Sequence, residues 1–208
     1  MEDVLDLYAE PPDPRRPKVT FDETPKQLIA ETRQPQPARP GQPERYDYEY
    51  RRNGTCNLFM FFDPDAAWRH VAVTAQRTKL DFAQQMQWLV DQRYPNAEVI
   101  RVVLDNVNTH RPAALYEAFP PEEARRLLRR LEFHYTPKHG SWLNMAELEI
   151  SVFSRQCWDR RLGDLETLQT QTQALEDQRN AAHATVNWHF TCQDARQRMR
   201  RVYPSVSS

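Results

Sequence analysis

Residues 98–104 read Glu-Val-Ile-Arg-Val-Val-Leu, and the run stops at Asp105. A short, nearly continuous apolar run bounded by polar residues marks a buried strand. A chain built round such a strand must cover it with helices, so the neighbouring segments decide the fold class. Cys56 to Phe62 is a second apolar run of strand length, Asp63-Pro64-Asp65 is a turn, and Trp68 to Thr74 completes a hairpin. Pro17 to Asp22 is an earlier strand, with Val19 and Phe21 on one face and Lys18 and Thr20 on the other.

Helical signals follow. Thr78 and Asp81 form a capping box ahead of Leu80, Ala83, Met86 and Val90, and Pro95 stops that helix. Pro112 to Phe119 and Pro121 to Leu131 are short helices with proline in the first turn. Phe133 to Thr136 is a short strand. Asn144 to Trp158, Asp164 to Ala182 and Thr191 to Val202 are helices. Nine of the sixteen prolines lie in the first 43 residues, so the opening is extended chain and turns apart from a helical stub at Asp3 to Ala9. The stub begins without a cap or leader of its own, a hint that an N-terminal part is absent, either truncated or encoded elsewhere. The expected division is a stub and linker over 1–16, a catalytic domain over 17–204 and a tail over 205–208. An antiparallel meander leading into alternating strands and helices predicts an α/β fold, a mixed sheet flanked by helices; the ribonuclease H-like fold has this order.

Composition removes several function classes. The longest apolar run, Leu58 to Phe62, is far short of the roughly 18 residues a membrane helix needs. Met1 is followed by Glu2 and Asp3, not by a secretory leader. Three cysteines, Cys56, Cys157 and Cys192, lie far apart without a Cys-x-x-Cys pair, which fits a reducing, cytosolic setting and no cysteine-based zinc site. A net charge of −1 speaks against a generic nucleic-acid coat.

Three acids stand at element boundaries. Asp22 is expected to end the first strand, Asp105 ends the central one, and Glu147 lies in the first turn of the helix after Gly140-Ser-Trp. Ligand sites of open α/β sheets lie at the carboxyl ends of strands. Three converging carboxylates suit Mg²⁺ or Mn²⁺. Two such ions about 3.5–4 Å apart serve phosphodiester chemistry. Taken singly, each acid is as well explained as a turn or surface residue; the flanking sequences set them apart.

Those flanks are Val19-Thr-Phe-Asp22-Glu-Thr-Pro, Val102-Val-Leu-Asp105-Asn-Val-Asn-Thr-His110 and Thr136-Pro-Lys-His-Gly-Ser-Trp-Leu-Asn-Met-Ala-Glu147. They resemble the DDE transposase/integrase core of bacterial insertion-sequence transposases, specifically the insertion-sequence-630 family of the mariner superfamily. Asp105, Asn106 and His110 match its hydrophobic-Leu-Asp-Asn-x-x-x-His motif. Tyr135, Pro137, Leu143, Asn144 and Glu147 match its Tyr-x-Pro…Leu-Asn-x-x-Glu motif. Similarity runs from about residue 2 to residue 204. Two departures stand out: Asp105 and Glu147 are 42 positions apart, with 122–130 supplying the extra length, and the family's N-terminal helix-turn-helix region has no counterpart here.

The resemblance implies a ribonuclease H-like fold and a transposase. It would use two Mg²⁺ or Mn²⁺ ions held by Asp22, Asp105 and Glu147 to cleave transposon ends and transfer strands into target DNA. It further implies a homodimer in the active complex and a bacterial cytoplasmic, nucleoid-associated location, with no membrane partner. Two rivals stand beside it: a truncated remnant that binds DNA or partners without turnover, and a host nuclease of the same fold.

Neighbouring residues divide into site and scaffold. Glu23 points away from Asp22 along an extended chain and is read as having no role. Glu149 lies roughly 200° round the helix from Glu147. His110 either orients the site or hydrogen-bonds locally, Asn106 either supports the ligands or only shapes the turn, and Asn144 either approaches the metals or, as favoured, caps the helix. Lys138, His139 and Trp142 offer positive charge beside a ring, suited to a phosphate backbone and an unstacked base, or else form a packed surface loop. Arg125, Arg126, Arg129 and Arg130 form one basic stripe; Arg196, Arg198, Arg200 and Arg201 form another. Either is DNA contact or solvated surface. The charge of −1 then sums an acidic centre with arginine stripes, and it predicts weak, salt-dependent DNA binding by this chain alone.

Overall fold

The computed structural model describes residues 1–199 except 35, 44, 46 and 108. Arg200, Arg201, the expected end of the last helix and the 205–208 tail lie outside the described residues. The chain builds α1 (Glu2–Ala9), β1 (Lys18–Glu31), β2 (Tyr50–Asp63), β3 (Trp68–Thr74), α2 (Lys79–Trp88), β4 (Ile100–Leu104), α3 (Ala113–Ala118), α4 (Pro121–Leu128), β5 (Leu131–Tyr135), α5 (Met145–Phe153), α6 (Leu165–Ala181) and α7 (Cys192–Arg198). The strands form one sheet in the order β3-β2-β1-β4-β5. β1, β2 and β3 pair antiparallel, while β4 lies parallel to both β1 and β5. The mixed sheet flanked by helices is the α/β, ribonuclease H-like arrangement that the order of elements predicts.

Strand alternation sorts the core into two faces. Val19, Phe21, Phe59, Phe61, Ile100, Val102 and Leu104 pack with Phe82, Ala83 and Met86 of α2, Leu115 of α3 and Leu127 of α4. On the other face Leu58, Met60 and Val71 meet Ala146 and Phe153 of α5, Trp158 just beyond α5, and Leu168 of α6. Val103 on that same face meets Val4, Leu5 and Leu7 of α1, together with Leu143 and Ala195. The N-terminal helix therefore packs into the core of the sheet.

β1 corrects the sequence reading. Asp22 does not end this strand, which runs on to Glu31 through Pro25. Beyond residue 20 β1 has lost β4 as a partner and pairs only with β2. A proline and polar side chains are tolerated there because one edge is free. What ends beside Asp22 is the neighbouring strand: Thr20 pairs with Val103, so two residues further on Asp22 comes level with Asp105. The ribbon of β1 and β2 closes through a polar turn bridged at Gln36–Arg45 and Arg39–Gln42.

Two helices differ from expectation in their ends. α2 keeps its capping box, with Thr78 accepting from the Asp81 N–H, but passes into a wider π turn over Leu89–Arg93. Leu80, expected on its apolar stripe, is 51% exposed, and Phe82 takes the buried position instead. α5 likewise passes into a π turn over Ser154–Trp158.

Candidate active site

Asp22 and Asp105 share a sheet face and a level, and α5 lies over that face. Asn144 joins the strand to the helix. Its side-chain oxygen caps α5 by accepting from the Ala146 N–H at 3.2 Å, and its amide donates to the Phe21 carbonyl at 2.8 Å and to Asp22 Oδ2 at 3.2 Å. The cap read from the sequence is real, and the same side chain also touches the first acid. Glu147 follows in the first turn of α5 and is partly buried. Ahead of it, Gly140 closes a tight turn by donating to the Pro137 carbonyl at 2.8 Å; a Cβ there would meet Pro137 at 2.6 Å, so only glycine fits.

The electrostatics show that the acids feel one another. Burial, the largest influence, pushes the Asp22 carboxyl up to about 7; the Glu23 backbone N–H opposes this, and the charges of Asp105, Glu23 and Glu147 add to it. Among the described residues no three histidine, cysteine, aspartate or glutamate side chains are drawn together into a ready-made metal site. The donor chemistry nonetheless fits a hard divalent cation, since every candidate ligand is a carboxylate and their mutual repulsion is what a cation relieves.

His110 occupies the opposite face and reaches round the end of β4. Its Nδ1 lies 2.5 Å from Asp105 Oδ1 and its Nε2 lies 2.6 Å from Glu23 Oε2. Burial disfavours the charged ring, but the contacts with Asp105 and Glu23 outweigh it and raise the ring to about 9. Glu23 thus corrects its sequence reading. It does point away from Asp22, as strand alternation requires, but it points at His110 and is only 6% exposed on its side chain. The adjacent Asp22-Glu23 pair was the available signal; what it lacked was any hint of what would cover the second face. Arg77 also reaches Glu23, at 3.4 Å.

The remaining candidates are spread more widely. Asn106 is exposed in the turn after β4, and Lys138 and His139 are exposed in the loop before α5. Trp142 is 38% exposed and packed, stacked on Trp188 and edge-on to Phe190. Glu149 is buried on the far side of α5 between Arg69 and Arg179, at 3.1 and 2.7 Å, and takes no part in the site. Arg125 and Arg129 are exposed on α4, which runs back to the start of β4, away from the acids; there the Ile100 N–H bonds to the Arg130 carbonyl. Arg126 is paired with Asp91 and Glu123, Arg130 donates to the Tyr94 carbonyl, and Arg196 is paired with Glu2 on α1. No described helix is long and apolar enough to cross a membrane.

The family model for the DDE superfamily endonuclease matches residues 17–169, a span holding all three acids. This chain belongs to the DDE superfamily endonuclease family. Among solved structures, the DDE domain described here is similar to the Mos1 mariner paired-end complex with Mn, with a TM-score of 0.55 and 16% identity over 86% of this chain and 54% of that one. It is also similar to the Mos1 strand transfer complex, with a TM-score of 0.50 and 14% identity over 89% of this chain and 59% of that one. The DDE domain therefore spans little more than half the length of these neighbours, and at such identities the likeness is one of fold. A search of curated proteins finds no match.

Proposed function

We propose that this chain is the catalytic domain of a DNA transposase of the insertion-sequence-630 type, which cleaves the ends of a mobile element and joins them to target DNA. The reading is supported by one observation: Asp22, on a strand level with the residue after the neighbouring strand's end, feels the charges of both Asp105 and Glu147, in a chain that belongs to the DDE endonuclease family. These three residues would hold two Mg²⁺ or Mn²⁺ ions. Bound there, such ions activate the attacking oxygen and stabilise charge on the phosphoryl oxygens.

The chain's own residues prepare that chemistry. Asn144 ties Asp22 to the first turn of α5, so the first and third acids keep a fixed relation. His110 holds one oxygen of Asp105 and leaves the other open. Lys138 and His139, with the exposed part of Trp142, lie in the loop that leads into α5 and would meet the DNA backbone. Arg125 and Arg129, at the far end, would meet only DNA that runs on past the site. The partners are transposon-end and target DNA, the active form is a homodimer on paired ends, and the setting is the bacterial nucleoid.

The test is nicking of supercoiled plasmid in Mg²⁺ or Mn²⁺, together with joining of an added 3′-hydroxyl oligonucleotide. Wild type should do both and Asp105→Asn neither, at unchanged melting temperature. Undiminished nicking by Asp105→Asn would refute the assignment, and nicking without joining would favour a host nuclease.

A further inference from the structure

We propose that Glu23 is a positioning residue: acting through His110, it fixes the direction in which Asp105 presents its carboxylate. The inference rests on the reading of Asp105 as a metal ligand. Asp105 follows the end of β4, its side chain is 34% exposed, and among the described residues its side chain hydrogen-bonds only to His110 Nδ1. Whatever orients His110 therefore orients Asp105.

Three contacts orient the ring. Phe21 meets it edge-on at 5.3 Å and Phe82 lies across it at 5.0 Å, so its plane is gripped by two neighbours of the core. The Tyr135 hydroxyl donates to the His110 carbonyl at 2.9 Å and holds the backbone. These contacts set a plane but do not choose whether a nitrogen or a carbon faces Asp105, because an imidazole turned over fills nearly the same space. Glu23 makes that choice. Its Oε2 and His110 Nε2 approach to 2.6 Å and both are buried, and among the described residues neither has an aligned hydrogen bond elsewhere. An acid on an apolar strand face, opposite phenylalanines, is a poor packing choice. It is a good one if it must anchor the far nitrogen of a ring whose near nitrogen holds a ligand. Polar groups that orient metal ligands from behind commonly act in this way.

The test is titration with Mn²⁺ alone, followed by loss of the free-ion paramagnetic resonance signal, on wild type, Glu23→Gln, His110→Gln, the double variant and Asp105→Asn. Glu23→Gln should weaken Mn²⁺ binding by about tenfold or more, the range seen when such supporting groups are changed. The double variant should bind no more weakly than His110→Gln, since both changes break one chain of contacts. Wild-type affinity in Glu23→Gln, with Mn²⁺ binding lost in Asp105→Asn, overturns the proposal and leaves the metal site standing. Additive losses in the double variant also overturn it. Wild-type binding in Asp105→Asn instead overturns the underlying reading of the site. If Glu23→Gln does not fold, Glu23→Asp, which keeps the charge but shortens the reach, takes its place in the same comparison.

Discussion

Asp22 is a residue whose chemistry works against the fold that carries it. Its carboxyl is pushed up to about 7 from an ordinary value of 3.8, mainly by burial. Between about pH 4 and pH 7 the unfolded chain therefore releases a proton that the folded chain keeps. Stability falls as pH rises through that window and levels off above it. In chelator, Asp22→Asn should melt several degrees above wild type at pH 8, at about 2–4 °C per kcal/mol for a chain of this size. The difference should vanish near pH 4. Equal melting at pH 8 would show that Asp22 is not held at a cost. The proposed role as a ligand accounts for that cost, because a divalent cation bound there would remove the penalty by neutralising the acids.

At the scale of elements, the two faces of α5 do different work. Glu147 is partly buried and its charge raises the Asp22 carboxyl, while Glu149 is buried with Arg69, whose side chain is fully enclosed, and with Arg179 of α6. Glu149→Ala should destabilise the protein by about 3–5 kcal/mol, because it strands a buried guanidinium; denaturant unfolding measures this, and a loss under 1 kcal/mol would contradict it. The separation of these acids was legible from helical geometry alone, as were β3 and the Thr78 capping box. β1 beyond Asp22 and the first half of β2 were not, because that ribbon lies largely outside the core and carries little apolar alternation to read. Leu80 misled for a related reason: helical spacing identifies a stripe, but packing decides which of two adjacent apolar residues is buried. Glu23 escaped notice because alternation tells which face a side chain takes and not what folds back to meet it; His110 arrives from a loop after β4.

At the scale of the molecule, the sheet is a platform that the proposed site uses to bring acids from three separate segments within each other's influence. β1 and β4 run parallel and level, α5 starts above them, and Asn144 ties helix to strand. The overall charge of −1 conceals this arrangement, because Asp22 and Asp105 lie level at the end of β4 while α4 runs back toward its start with exposed Arg125 and Arg129. If Asp22, Asp105 and Glu147 form a divalent-metal site, anomalous diffraction from crystals of the chain soaked in Mn²⁺ will show manganese density in contact with all three carboxylates; manganese found only elsewhere, with these three carboxylates bare, would refute the site.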